Sequence, residues 1–370
     1  MASGTTALAI RPARRRVVTS TRLLRDVRKL IVSARERTAQ TVNAGLVAMY
    51  WGIGARILRE VLKSRRAEYG EEIVATLSRQ LVTEFGDGFS RSNLFRMVRL
   101  AEAFPDIKIV ATLSRQLGWS HFVEIIQHKD ELRRDFYAEM CRVERWSVRT
   151  LREKIGSMLF ERTALSKKPA KMAKQELKAL REEDKLTPDL VFRDPYVLDF
   201  LKLQDTYSEK DLESAILKEI ERFLVEMGGG FTFVARQKRI TLDGTDYYLD
   251  LLFFHRRLRR LVALELKLGK FQAGDMGQME LYLRWLDRHE RMPEEEAPVG
   301  VILCAEKATE HVELLQLEGR GIRVAEYLTD IPQRSVLRKK LRQALELARE
   351  QLAQRQRERK TLAREEASGL

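Results

Sequence analysis

Cysteine is nearly absent from this 370-residue chain: only Cys141 and Cys304 occur, each inside an apolar run. Two thiols cannot build a disulfide framework or a zinc cluster, which points to a reducing compartment, the cytoplasm. Long apolar runs are missing as well. None approaches the roughly 18 to 20 residues needed to span a bilayer, so no membrane role is expected. The N-terminus, residues 1–20, carries Arg14-Arg15-Arg16 but neither an apolar core nor a small-residue cleavage pattern. It reads as a mobile basic arm rather than a secretory signal. Acid is in deficit: 54 Asp and Glu against 68 Lys and Arg give a formal charge of +14 and a pI near 9.8. Such a surface favours a polyanion, either nucleic acid or an acidic membrane face.

A chain this long divides into more than one domain. Residues 21–163 carry apolar positions at helical spacing and form an all-helical, basic domain suited to holding DNA. Residues 164–190 hold Lys167, Lys168, Lys171, Lys174, Lys178 and Lys185 with few large apolar side chains. They read as a charged linker, partly helical. Residues 191–332 alternate helix and strand patterns. Residues 333–370 form a charged tail with Leu337, Leu341, Leu345, Leu347 and Leu352 spaced along a helix, either a basic flap or a surface for a homodimer.

The densest chemistry lies at Tyr247–His255 and Leu261–Lys267, two strand-length apolar runs around a short basic break. This is a β-hairpin pattern. A turn centred on Arg257-Leu258 sets Asp250 opposite Glu265, since opposed residues in an antiparallel pair keep a constant sum. Opposed Cβ atoms lie roughly 4.5–5.5 Å apart. Lys267 shares a face with Glu265 by the period of two. Two carboxylates that close repel unless a cation joins them. Mg²⁺ favours oxygen ligands and keeps several waters, and Mn²⁺ is a close alternative. The bland reading is a solvated sheet face with surface ion pairs worth little.

Upstream, Ser208 and Asp211 open a helix containing Leu212, Ala215, Ile216, Ile220, Phe223 and Leu224, which Gly228-Gly229-Gly230 ends. An alternating strand at Phe231–Ile240 returns through Asp243-Gly244 into the Tyr247 strand. A second helix covers Gly277–Leu286, and strands follow at Val299–Cys304 and Ile322–Tyr327. The expected fold class is α/β, a mixed sheet covered by helices and preceded by an all-α domain.

This constellation resembles the PD-(D/E)xK nuclease core, whose fold is restriction-endonuclease-like. More closely, it resembles the YhcG family of bacterial proteins. The resemblance is carried by LESAILKEIERFLVEMGGGFTFVARQ, YYLDLLFFHRRLRRLVALELKLGKF, GQMELYLRWL and VGVILCAEK. In the N-terminal half it is carried by GFSRSNLFRMVRLAEAFP and LGWSHFVEIIQHKDELRRDFYAEMCRVERWSVRTLREKI. It implies a metal-dependent DNA endonuclease acting in repair or recombination, or against foreign DNA. Asp250 and Glu265 would be metal ligands and Lys267 the water-positioning base or charge stabiliser. Glu213 would be the helix acid, with Glu221 as alternative, and Gln278 the polar residue of the second core helix.

Other features have plainer readings beside functional ones. The string Ile-Val-Ala-Thr-Leu-Ser-Arg-Gln-Leu occurs at Ile73–Leu81 and again at Ile109–Leu117, either a duplicated helical unit or coincident helix chemistry. Helix, Gly-containing turn and helix around Gly86–Ser90 form a helix-turn-helix outline. Arg91, Asn93 and Arg96 would then read DNA. The alternative is an ordinary helical hairpin. His121 has no nucleophile beside it and reads as the start of a capped helix. His255 sits at the hairpin turn beside basic residues, where it either contacts DNA phosphate or is a turn histidine that needs no function. Two rival functions stay open: a non-catalytic DNA-binding or regulatory protein on the nuclease scaffold, and an adaptor for an acidic protein.

Overall fold

A computed structural model of the chain describes residues 21–63, 67–203, 206–306, 315 and 317–329, with isolated positions between 336 and 346. Two compact units divide between Trp119 and Ser120.

The first unit holds α1 (Thr21–Lys63), α2 (Ala67–Phe85), α3 (Arg91–Ala103) and α4 (Ile107–Leu113). Its core is Tyr50, Ile57, Val74, Leu94 and Met97. Gly54 permits the α1–α3 crossing, because a Cβ there would lie 1.9 Å from the Met97 carbonyl oxygen. Trp51 closes the end of α3 by donating its indole N–H to the Phe104 carbonyl at 2.8 Å.

The repeated string takes two shapes. Ile73–Leu81 is helical throughout within α2. The second copy leaves the helix after Leu113, and Asn43 on α1 donates to the freed carbonyls of Ser114 (3.3 Å) and Leu117 (3.0 Å). Between α2 and α3 a 3₁₀ turn spans Asp87–Phe89. Ser90 occupies the N-cap of α3 without a side-chain capping hydrogen bond; its hydroxyl lies 3.4 Å from that of Ser92.

The second unit opens with α5 (Trp119–Ile125, beginning at the boundary), α6 (Glu131–Glu144), α7 (Val148–Gly156), α8 (Leu159–Arg162), α9 (Ala164–Lys167), α10 (Ala170–Glu183) and α11 (Pro188–Val191). Here the structure corrects the expected linker at 164–190. Ala173, Leu177 and Leu180 of α10 are buried, while Arg181 pairs with Glu139 at 2.6 Å and Arg142 with Asp184 at 2.7 Å. The lysines hid a three-residue apolar stripe at helical spacing, and that stripe suffices to pack the segment. Fully buried Arg162 and nearly buried Arg193 both bind Glu226. Asp189 binds Lys168 and Arg323. The segment is riveted to the sheet domain.

The sheet domain follows: β1 (Tyr196–Val197), α12 (Glu209–Lys218), α13 (Ile220–Met227), β2 (Phe231–Leu242), β3 (Thr245–His255), β4 (Arg260–Lys270), α14 (Ala273–His289), β5 (Val299–Glu306) and β6 (Ile322–Leu328). Strand order is β1-β6-β5-β4-β3-β2. Pairings β2–β3 and β3–β4 are antiparallel; β4–β5, β5–β6 and β1–β6 are parallel. The fold is the expected one: a helical region followed by a mixed sheet. Ser208 and Asp211 make the expected capping box. The single helix expected from Ser208 to the glycines is broken at Glu219 into α12 and α13. Asp243 and Gly244 both have positive φ (47° and 78°), as a two-residue hairpin turn requires. The two-residue β1 carries no readable periodicity and was not expected.

α14 packs Met279, Tyr282, Leu283 and Leu286 on one face of the sheet with Leu252, Ala263 and Ile302. Gly300 admits it, since a Cβ there would meet the Met279 sulfur at 2.5 Å. His255 is fully buried at the hairpin turn, so the phosphate reading is corrected. Its Nδ1 accepts from the Leu258 N–H at 3.0 Å and its Nε2 lies 3.1 Å from the Gly229 carbonyl. Leu337 and Leu341 of the tail are buried against Met158. Leu345, Leu347 and Leu352 lie outside the described residues, as does the basic arm at 1–20.

Candidate active site

The β3–β4 ladder runs from His255↔Arg260 to Leu251↔Leu264, the register expected from the hairpin. Beyond that pair β4 continues beside β5, with Glu265↔Ile302 and Lys267↔Cys304. Where the β3–β4 ladder stops, side chains take over from backbone. Asp250 Oδ2 accepts from the Leu266 N–H at 2.9 Å, and Glu265 Oε1 accepts from the Asp250 N–H at 3.2 Å. Lys267 Nζ stands 3.5 Å from Glu265 Oε2. Only 3% of Glu265 is exposed.

Two further elements close on this fork. Gln237 of β2 donates through Nε2 to Asp250 Oδ1 at 3.0 Å and to Glu213 Oε2 of α12 at 2.8 Å. Glu213 is 8% exposed, whereas Glu221 lies exposed on α13. One turn before Glu213, Glu209 accepts from the Leu268 N–H at 3.2 Å. On α14, Gln278 donates to the Tyr282 hydroxyl at 2.6 Å, and that hydroxyl donates to the Tyr248 carbonyl at 3.2 Å. Gln278 thus steadies Tyr282, whose hydroxyl feels the charge of Glu265 and Asp250.

Electrostatics follow from this crowding. Burial, with the neighbouring Asp250 charge, pushes the Glu265 carboxyl up to about 8. Burial also raises Asp250, against the Leu266 N–H, the Gln237 amide and Lys267. For Lys267, burial opposes the charge, but the carboxylates of Glu265, Glu209, Asp275 and Asp250 outweigh it and hold the ammonium above its ordinary value. A lysine held protonated donates hydrogen bonds and offsets negative charge.

Among the described residues, no group of three or more His, Cys, Asp or Glu side chains forms a ready-made cation cage. The donor set at the fork nevertheless fits a hard divalent ion. Its members are carboxylate oxygens, and Mg²⁺ takes one or two carboxylates while keeping its own waters. Glu265 is buried and Asp250 half-buried beside it, and a cation between two such acids would relieve their repulsion.

Three residues of this cluster are not singled out by the sequence reading: Gln237, Glu209 and Tyr282. The Asp243-Gly244 turn would have found Gln237, since a two-residue loop there sets residue 237 against residue 250. Tyr282 lies four residues after Gln278 on one helix face, and Glu209 four before Glu213.

The helix-turn-helix side chains stand elsewhere, in the first unit, and are engaged locally. Arg91 pairs with Glu71 at 2.9 Å and lies over the Phe95 ring. Asn93 donates to the Gly88 carbonyl at 2.8 Å, bracing its own turn. Arg96 is exposed, with Asn93 Oδ1 at 3.5 Å.

A family model described as YhcG PDDEXK nuclease domain matches residues 189–346, and one described as DUF1016 N-terminal domain matches residues 26–162. The chain is 38% identical over 309 residues to "Putative nuclease YhcG" of Escherichia coli (strain K12), covering 75% of this chain and 81% of that protein. Among solved structures it is similar to a repair endonuclease from Pyrococcus abyssi (22% identity, TM-score 0.25, 33% of this chain and 49% of that one). It is also similar to the EndoMS-dsDNA2 complex (21% identity, TM-score 0.27, 35% and 48%). The chain spans about half the length of those two structures. No helix among the described residues is long and apolar enough to cross a membrane. Matched in both halves, and over four-fifths of the E. coli relative, this chain belongs to the YhcG family and carries its PDDEXK nuclease domain in the C-terminal half.

Proposed function

We propose that this protein is a metal-dependent DNA endonuclease that hydrolyses phosphodiester bonds, with Asp250, Glu265 and Lys267 at its centre. The observation that carries this reading is the crossed pair of carboxyl groups, Glu265 buried and Asp250 half-buried, with the Lys267 amine 3.5 Å from Glu265. Asp250 and Glu265 would hold Mg²⁺ or Mn²⁺. Bound there, such an ion supplies Lewis acidity toward a phosphate oxygen and lowers the pKa of a water. Lys267 donates to the phosphate and offsets charge that grows in the transition state, its role as charge stabiliser rather than base. Glu213 joins through Gln237, and Gln278 acts through Tyr282.

The surplus of cationic side chains favours a nucleic-acid substrate, with affinity falling as salt rises. The helical first unit, with Arg91 and Arg96 on its surface, would hold the duplex. The setting proposed is a cytoplasmic one, in repair or recombination of DNA or in defence against foreign DNA.

Nicking of supercoiled plasmid in Mg²⁺, set against an EDTA control, tests the reading. Cleavage by the wild type, silence in EDTA and loss of cleavage with Glu265→Ala are expected. Undiminished cleavage by Glu265→Ala and Lys267→Ala would remove it.

A further inference from the structure

We propose that Gln237 is a positioning residue of the ion site: its amide holds Glu213 and Asp250 together until a divalent ion takes over that task. The inference rests on reading the acids at the β3–β4 fork as ion ligands.

The backbone carries the first part of the argument. β2 and β3 pair as Arg236↔Leu251 and then Lys238↔Leu249, passing over Gln237. At that position the backbone has φ of +44° in the middle of a strand. Left-handed backbone costs free energy for a residue with a Cβ, and glycine or asparagine would carry it more cheaply. A glutamine kept there at that cost implies that its side chain is used.

The side chain supplies the second part. Both partners of Nε2 are carboxylates, acceptors when ionised, so the donor end of the amide must face them. The NH₂ group has two hydrogens and meets two acids, one on α12 and one on β3. One neutral dipole therefore holds two like charges from separate elements. A cation between them would do the same more strongly. Gln237 thus prepares the helix acid and the strand acid for the ion.

The test uses the full-length protein with Ca²⁺ as probe, read by calorimetric titration and by thermal unfolding in EDTA and in Ca²⁺. Gln237→Leu removes the bridge and should weaken Ca²⁺ binding about tenfold or more, the range seen when outer partners of ion ligands are removed. Gln237→Glu places a third carboxylate in the cluster. It should unfold below wild type in EDTA and recover in Ca²⁺, giving a larger Ca²⁺-induced rise in Tm than wild type. A hydrogen bond with only a structural role predicts equal rises. If Gln237→Leu does not fold, Gln237→Glu still decides. Wild type that binds Ca²⁺ while the variants respond identically overturns the assignment to Gln237 alone. Wild type blind to Ca²⁺ overturns the ion site together with it.

Discussion

Asp250 and Glu265 each accept a backbone N–H where the β3–β4 ladder gives out: Asp250 takes that of Leu266, and Glu265 takes that of Asp250 itself. The exchange fixes both carboxylates at the fork. It also leaves the pair short of positive charge, which Lys267 only partly supplies. The chemistry proposed for this site follows from that shortage.

The first prediction concerns pH in the ion-free protein. With its folded value near 8 against 4.5 as a free side chain, Glu265 keeps a proton that the unfolded chain gives up. Folding stability in EDTA should therefore be greatest below about pH 4.5 as far as this group is concerned. It should decline as pH rises through 8. Glu265→Gln should flatten that decline in denaturant titrations at stepped pH. An unchanged slope would contradict the buried, proton-seeking state.

Lys267 should matter to the chemical step rather than to DNA affinity. Lys267→Ala is expected to cut the cleavage rate about 10²-fold or more, as loss of one well-placed donor does. Gel-shift affinity in EDTA should stay near wild type. Loss of binding in parallel with cleavage would move Lys267 from the chemistry to the grip on DNA.

His255 gives a stability signal at the acid side. Burial pushes its ring down to about 4, so the fold keeps it neutral while the unfolded chain protonates near 6.5. The stability it contributes is complete above about pH 6.5. As pH falls from there to about 4 it is lost, at up to ~1.4 kcal/mol per pH unit. His255→Phe loses both ring hydrogen bonds, should cost ~1–3 kcal/mol at pH 7, and should remove its share of the acid slope. Thermal unfolding between pH 4 and 7 measures both effects.

Asn93 and Arg96 should part company. Asn93→Ala releases the Gly88 carbonyl and is expected to lower unfolding stability by about 1 kcal/mol. Arg96→Ala should leave stability alone and reduce the salt slope of DNA binding by about one phosphate. An unaltered salt dependence would exclude Arg96 from the interface.

Packing of residues 164–190 bears on where the chain can be cut. A fragment beginning at Val191 removes Arg162 from Glu226, which keeps Arg193, and takes Asp189 from Arg323, so part-buried ion pairs are lost together. That fragment should be unfolded by circular dichroism, whereas one beginning at Ser120 should fold. A cooperatively folded Val191 fragment would show that the rivets are dispensable.

Much of the sheet domain was written in local pattern. Turn positions at Asp243-Gly244 and Arg257-Leu258, with a strand-length run between them, set the register of β3 with β4 and of β3 with β2 as far as the shift at Phe233/Ala235. Register alone sets Asp250 beside Glu265, because pairing is an arithmetic of residue numbers. The composition likewise determined the strongly basic surface.

Tertiary structure decided what local pattern cannot carry. The same nine residues stay helical in α2 and leave the helix after Leu113 in the second copy, where Asn43, over seventy positions away, donates to the opened carbonyls. Lysine-rich 170–183 became a packed helix because Ala173, Leu177 and Leu180 found a surface to cover, which composition does not reveal. Gln237 falls opposite Asp250 by the turn alone, but its bridge to Glu213 depends on where α12 packs. Hydrogen-bond partners and packing surfaces distant in sequence select among conformations that local propensity leaves nearly equal in free energy.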